Sequence, residues 1–258
     1  MTEPIPDYEA CRRDGVLRVR REGTEWLSTG ADGGRTRGEC AYNVSVPEGW
    51  TRTDLAAYVD ERLERAGFDV GDADASGERP PALLTGVDIA DARGARCGPV
   101  MAYATAGVSN PAALPMEPPG GSLPTDLEPA TDDDHSTPGT VNVVVGTTHS
   151  LPDGALANLI AVTAEAKAAT LLETTGFPGT TTDAVVVGHD PDGRSTRFSG
   201  SGTAVGAATR ACVREAVRAS LSAHYEDHDV GCPASVEEAT YGVSTDVRAT
   251  VFEPPTLE

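Results

Sequence analysis

The 258 residues carry 40 Asp and Glu against 20 Lys and Arg, a formal net charge of −20; a phosphate backbone needs a basic patch, so nucleic acid is excluded as a partner. Lys167 is the single lysine, so the other 19 cations are arginines, and acidic, arginine-for-lysine chemistry suits molar salt, where screening weakens the repulsion among carboxylates. No run of about 18 apolar residues is present and residues 1–9 are polar and acidic, so neither a membrane span nor a secretory leader is expected, and the expected location is the cytoplasm.

Hydrophobic residues make up 39% and aromatic residues 5%, with 28 glycines, so the core has to be packed from small and β-branched side chains. The five cysteines are scattered, odd in number and without a C-x-x-C pair, which points to free thiols rather than a disulfide framework. In chain order, 16–20 and 25–28 read as short strands, 29–34 as a glycine turn and 41–46 as an alternating strand around Asn43. A helix follows, capped by Thr53, with Leu55, Val59 and Leu63 four residues apart and Gly67 as its stop. After an acidic loop at 69–80, residues 81–86 lead to a buried strand at 100–107, and 111–138 read as a long Pro-, Gly- and Asp-rich loop. The centre of the chain is a strand at 140–146, a helix at 155–175, a glycine turn and a strand at 184–187. A short strand at 196–198, a helix at 203–225 and an alternating segment at 244–252 complete it. The expected fold class is α/β or α+β: one layered domain over 15–230 with a mixed β-sheet and about three main helices, preceded by a tail (1–14) and followed by an extension (231–258) that adds a final strand.

Lys167 sits inside the central helix. Chance is one account of a lone lysine; the other is that an ammonium is needed where a guanidinium will not serve. Thr163, Lys167, Thr170 and Thr174 share one helix face, a stripe without the acids or arginines of a solvated face, whereas Glu165 points elsewhere. Gly179-Thr180-Thr181-Thr182-Asp183 sets three hydroxyls and a carboxylate at a strand mouth, and Gly107-Val108-Ser109-Asn110 sets a hydroxyl and an amide at another; turn chemistry alone explains only part of each. The glycine-rich 199–206 departs from phosphate-binding patterns; close packing of strand and helix accounts for it better, with oxyanion stabilisation as the intermediate reading. His224 and His228 lie one helical turn apart and precede Cys232, which has metal-ligand character, but solvated helix-end histidines are the plainer reading. No G-x-S-x-G elbow is present.

Taken together and in order, Thr105-Ala106-Gly107-Val108-Ser109-Asn110, Gly139-Thr140-Val141-Asn142, Thr163-Ala164-Glu165-Ala166-Lys167 and 179–187 resemble the adenosylcobinamide amidohydrolase family, with 28–43 similar to its N-terminal element. The resemblance implies hydrolysis of the amide that joins the corrin ring's propionate arm to aminopropanol. It implies Lys167, Thr182, Asp183 and Glu165 as catalytic candidates and Asn43, Ser109, Asn110, Asn142, Thr180 and Thr181 as substrate-binding ones. It implies no metal and no cofactor, the corrinoid being the substrate, and a small-molecule corrinoid as partner, with no membrane and a homo-oligomer left open. Two rivals stand beside it: a metal-dependent hydrolase of another amide, built on His224, His228 and Cys232, and a corrinoid-binding protein that does not hydrolyse.

Overall fold

The computed structural model describes residues 8–47, 50, 52–68, 78–123, 140–226, 231–239 and 241–256. Its centre is the pair of parallel strands β10 (Val141–Ser150) and β11 (Ala184–Ser195), joined by helix α2 (Asp153–Thr175). Antiparallel partners extend this pair on both sides. β8 (Val100–Ala106) and β7 (Arg93–Cys97) flank β10, while β3 (Glu25–Ser28) and β4 (Gly34–Arg37) flank β11, making a six-stranded sheet in the order β4-β3-β11-β10-β8-β7. A second sheet of four strands, β1 (Glu9–Arg13), β2 (Val16–Arg20), β5 (Cys40–Ser45) and β6 (Ala82–Thr85), packs behind it, with α1 (Leu55–Arg65) connecting β5 to β6.

Burial follows this layering. Val143, Val145, Val185 and Val187 face α2 and α3 (Ala204–Glu226), which supply Leu156, Leu159, Val213 and Val217. Val144, Val186 and Met101 point to the other side and meet Leu17, Val19, Ala41 and Leu83 of the second sheet. Val16, Tyr42 and Val44, on the far face of that sheet, are covered by Tyr58 and Leu63 of α1. The architecture is therefore helix, sheet, sheet, helix, an α+β domain with a mixed sheet and three main helices, as expected. Strands covered on both faces read as continuous valine runs rather than alternating ones. Helix α2 is long and apolar enough to cross a membrane by length and composition, but Leu156, Leu159 and Leu171 are fully buried against the sheet and α3, as in a core helix.

Several local expectations need correction. Asp54, not Thr53, caps α1, accepting from the Ala57 N–H (3.1 Å). Residues 9–13, read as tail, form β1 and pair with β2. β7 was not expected, because its arginine-rich sequence is half-exposed and carries little hydrophobic pattern. The strand expected at 196–198 lies earlier: β11 runs to Ser195, its polar end paired with β10 beyond a bulge, and Phe198 is exposed. The alternating segment at 244–252 contributes only β12 (Val243–Ser244), which pairs with β9 (Ala112–Ala113), a strand inside the segment read as loop. The rest of that loop from 124 to 139 lies outside the described residues.

Gly146 and Gly188 pair in register beneath two aromatic rings. A Cβ on Gly146 would lie 2.6 Å from the Tyr8 ring and one on Gly188 2.5 Å from the Trp26 ring. The two aromatics meet edge-on above this floor, with centroids 5.6 Å apart. At the same end of the sheet, Glu25 is enclosed by Arg35, Arg37 and His189, and the His189 Nδ1 accepts the Leu151 N–H (3.1 Å); burial holds this imidazole below the ordinary histidine range. Gly188→Val is expected to destabilise the fold by about 1–3 kcal/mol through overpacking, seen as a lower denaturation midpoint in high salt with an unchanged slope.

Candidate active site

The parallel strands β10 and β11 begin side by side, and the turn that feeds β11 is pinned there by one carboxylate. Asp183 Oδ1 accepts from the Val141 N–H (2.9 Å) and the Thr180 hydroxyl (2.5 Å). Its Oδ2 accepts from the Thr180 N–H (3.1 Å) and from the Lys167 ammonium. The side chains of Lys167 and Asp183 are only 9% and 12% exposed. Gly179 is the residue that tolerates this pair: a Cβ there would lie 2.6 Å from Asp183 Oδ2 and 3.4 Å from Lys167 Nζ. The lone lysine thus has a local reason, since a wider guanidinium would press on the Gly179 backbone.

The rest of the turn is tied to the end of β8. Asn110 donates from Nδ2 to the Thr181 hydroxyl (2.6 Å) and accepts the Thr181 N–H on its carbonyl (3.2 Å), while the Ala112 N–H donates to the Gly179 carbonyl (2.9 Å). Ser109 is exposed beside this junction. Thr182 is exposed, with its hydroxyl 3.0 Å from that of buried Thr140. These two threonines, Asp183 and Ala184 form the floor of a cleft of about 390 Å³. Its walls are the 28–32 turn, the first residues of α1, the start of β6, and Trp50 and Pro81, with Asp32 and Arg79 also lining it.

Asn43 and Asn142 lie deeper than a substrate contact would require. Asn142 donates from Nδ2 to Asn43 Oδ1 (3.0 Å) and to the Leu84 carbonyl (2.8 Å), and Asn43 donates to the Thr105 hydroxyl (2.8 Å). Both are nearly fully buried, so they bind one sheet to the other. Asn142 Oδ1 is buried without a hydrogen-bond partner, an acceptor left beneath the floor.

The structure therefore brings together Lys167, Asp183, Thr180, Thr181, Thr182 and Asn110, keeps Ser109 at the rim, and sets Asn43 and Asn142 underneath. It does not bring in Glu165, which is 63% exposed and pairs with Arg210 of α3 (3.0 Å) on the outer helical surface. Nor does the threonine stripe of α2 line the cleft. Thr163 and Thr170 are buried, and the Thr170 and Thr174 hydroxyls bond back to the Ala166 and Thr170 carbonyls (2.7 and 2.8 Å), the local bond that small hydroxylated residues make inside helices. At 199–206, the Gly206 backbone lies directly against the Ser199 and Gly200 carbonyls, which agrees with glycine for close packing.

One pair was not visible in the sequence. His224, near the end of α3, has Nδ1 2.9 Å from Oδ2 of Asp91, a carboxylate whose side chain is 4% exposed. It is thus not a solvated helix-end histidine, and the Cys232 thiol lies against the Pro233 carbonyl and the Tyr225 hydroxyl. His228 lies outside the described residues. Among 40 acidic residues, Asp91 carries no signal that would set it apart, and its partner is 133 positions away.

The family model for adenosylcobinamide amidohydrolase (CbiZ) matches residues 2–229. The chain belongs to this amidohydrolase family. It is 55% identical over 247 residues to the adenosylcobinamide amidohydrolase of Halobacterium salinarum, covering 96% of this chain and 100% of that protein. It is 26% identical over 207 residues to the enzyme of the same name from Methanosarcina mazei, covering 76% and 90%. Among solved structures, the PH0078 protein from Pyrococcus horikoshii OT3 aligns with a TM-score of 0.44 and 10% identity over 84% of this chain and 79% of that one, too slight a likeness to argue from. All four sequence motifs lie inside the amidohydrolase match.

The buried ion pair makes a measurable claim on stability. Lys167→Met and Asp183→Asn are each expected to cost about 3–5 kcal/mol, because each strands a buried partner. The double variant should lose less than the sum, in denaturant titrations arranged as a double-mutant cycle. Glu165→Ala, on the outer helical surface, should leave turnover within about twofold of wild type, as surface changes away from a site usually do.

Proposed function

We infer that this protein hydrolyses the amide joining aminopropanol to the corrin ring of adenosylcobinamide, releasing adenosylcobyric acid for cobalamin salvage. Family membership over nearly the whole chain carries the reading, and the cleft above the 179–183 turn is where we place the reacting amide. Hydrolysis of an unactivated amide needs donors for the oxyanion that develops and a proton for the departing amine. The Thr182 hydroxyl, held against Thr140 on the cleft floor, is our candidate for a donor to the oxyanion.

We assign Asp183 and Lys167 a positioning role. The Asp183 carboxylate accepts from four donors, two on each oxygen, which fills its acceptor sites with protein groups. What it does is fix the direction in which Thr182 leaves the turn. The cleft, about 390 Å³, is at the small end of ligand sites, which run from roughly 300 to 1,000 Å³. We therefore place the propionate–aminopropanol arm inside and the macrocycle at the mouth, near Trp50 and the 28–32 turn. The corrinoid is substrate rather than cofactor in this scheme, and the cytoplasm is the compartment we propose.

Incubation of the purified protein with adenosylcobinamide in molar KCl, followed by mass analysis, should yield adenosylcobyric acid and aminopropanol. Folded protein that binds cobinamide and leaves it intact would overturn the reading in favour of a binding protein. Thr182→Val should lower kcat by about 10²- to 10³-fold, as removal of one oxyanion donor does, with substrate binding retained.

A further inference from the structure

We propose that Asp32 carries the proton between the attacking water and the departing amine; this rests on the amidohydrolase reading above. Amide hydrolysis in the cleft needs a group there that can take a proton and return it. Among the described residues that line the cleft, the ionisable ones are Asp32, Arg79 and Asp183. Asp183 has both oxygens filled by protein donors. Arg79 is committed to Asp60 and to the Ala56 carbonyl, and a guanidinium does not give up its proton. Asp32 is left, exposed on the cleft wall and without a hydrogen-bond or ion-pair partner among the described residues.

The turn that carries Asp32 is fastened beside the cleft floor. β3 runs antiparallel to β11 with Ser28 opposite Val186, and the pairing continues one residue further. The Thr29 N–H donates to the Val185 carbonyl (2.9 Å), and the Thr29 hydroxyl accepts the Val185 N–H (2.9 Å). The chain therefore leaves the sheet next to 182–184, the floor residues of the cleft. Within the turn, the Gly30 N–H donates to the Ser28 hydroxyl (3.0 Å) and the Gly33 N–H to the Gly30 carbonyl (2.9 Å). A Cβ on Gly33 would lie 2.5 Å from the Ser28 carbonyl oxygen, so the residue after Asp32 has to be glycine for the turn to close this tightly. The Asp32 wall and the Thr182 floor thus border one space, the first supplying a carboxylate and the second a hydroxyl.

The steps balance without a further reactant. Water adds to the amide carbonyl carbon as its proton passes to the Asp32 carboxylate. The tetrahedral adduct then collapses, the C–N bond breaks, and the Asp32 carboxylic acid returns that proton to the leaving nitrogen. Amide and water become carboxylic acid and amine, which exchange a proton in solution to give carboxylate and ammonium.

Steady-state kinetics on Asp32→Ala and Asp32→Glu, with equilibrium dialysis of adenosylcobinamide and circular dichroism on the same samples, test the proposal. Asp32→Ala should lower kcat by about 10²- to 10⁴-fold, the range of a lost general acid–base, with the cobinamide dissociation constant and the spectrum unchanged. Asp32→Glu keeps the carboxylate and should retain more kcat than Asp32→Ala. Sodium formate added to Asp32→Ala puts a carboxylate back into the cleft and should raise kcat at least about tenfold, a rescue that a structural or purely binding role does not give. Near-wild-type kcat in Asp32→Ala, a loss of kcat matched by a loss of binding or of helical signal, or a defect that formate leaves unchanged overturns the proposal. Failure of the amidohydrolase reading itself would appear separately, as wild-type protein that releases no aminopropanol.

Discussion

The Asp183 carboxylate is the constraint on which the site depends. It joins three stretches that are far apart in the chain: the middle of α2 through Lys167, the first residue of β10 through the Val141 N–H, and its own turn through Thr180. Burying an ion pair is expensive unless the remaining lone pairs are also satisfied, and here each oxygen accepts twice. The cost of burial is offset by these bonds, and the result is geometric: the start of two parallel strands, the 179–183 turn and the axis of a helix are set relative to one another. Asn110 extends the same lock to β8.

The layered architecture explains why the site can be both rigid and open. The two sheets are held together in their middle by small residues, with Gly146 and Gly188 under Tyr8 and Trp26, and by the Asn43–Asn142 bonds. At the starts of β10 and β11 the cleft opens between α1, β6 and the turn. Valine, alanine and the two glycines leave room between the sheets for the Tyr8 and Trp26 rings and for Leu17, Leu83 and Met101.

Much of this was legible in the chain. The valine runs at 141–145 and 184–187 announced strands buried on both faces, and the helices at 153–175 and 204–226 lie within two residues of their expected bounds. Lysine at 167 stood out only because every other cation is arginine. The polar stripe beside it does not reach the cleft, since the Thr170 and Thr174 hydroxyls return to the helix backbone, while Lys167 itself reaches across to the Asp183 carboxylate of the 179–183 turn. Short edge strands such as β1 and β7 were illegible for another reason: largely exposed, arginine-bearing strands owe their structure to a neighbour's hydrogen bonds rather than to their own pattern. Asp91 and His224 meet only through the tertiary fold, and no local spacing encodes a contact across 133 positions.

The buried position of Lys167 has a chemical corollary outside catalysis. Its ammonium is the chain's one side-chain primary amine, and it lies 9% exposed beneath a carboxylate. Acylating reagents, and any modifying enzyme that needs a lysine on the surface, therefore meet no exposed lysine side chain on the folded protein. Exchange of lysine for arginine across the surface, a response to salt, has also removed the usual side-chain targets of acylation and leaves acylation of Lys167 as a reporter of unfolding.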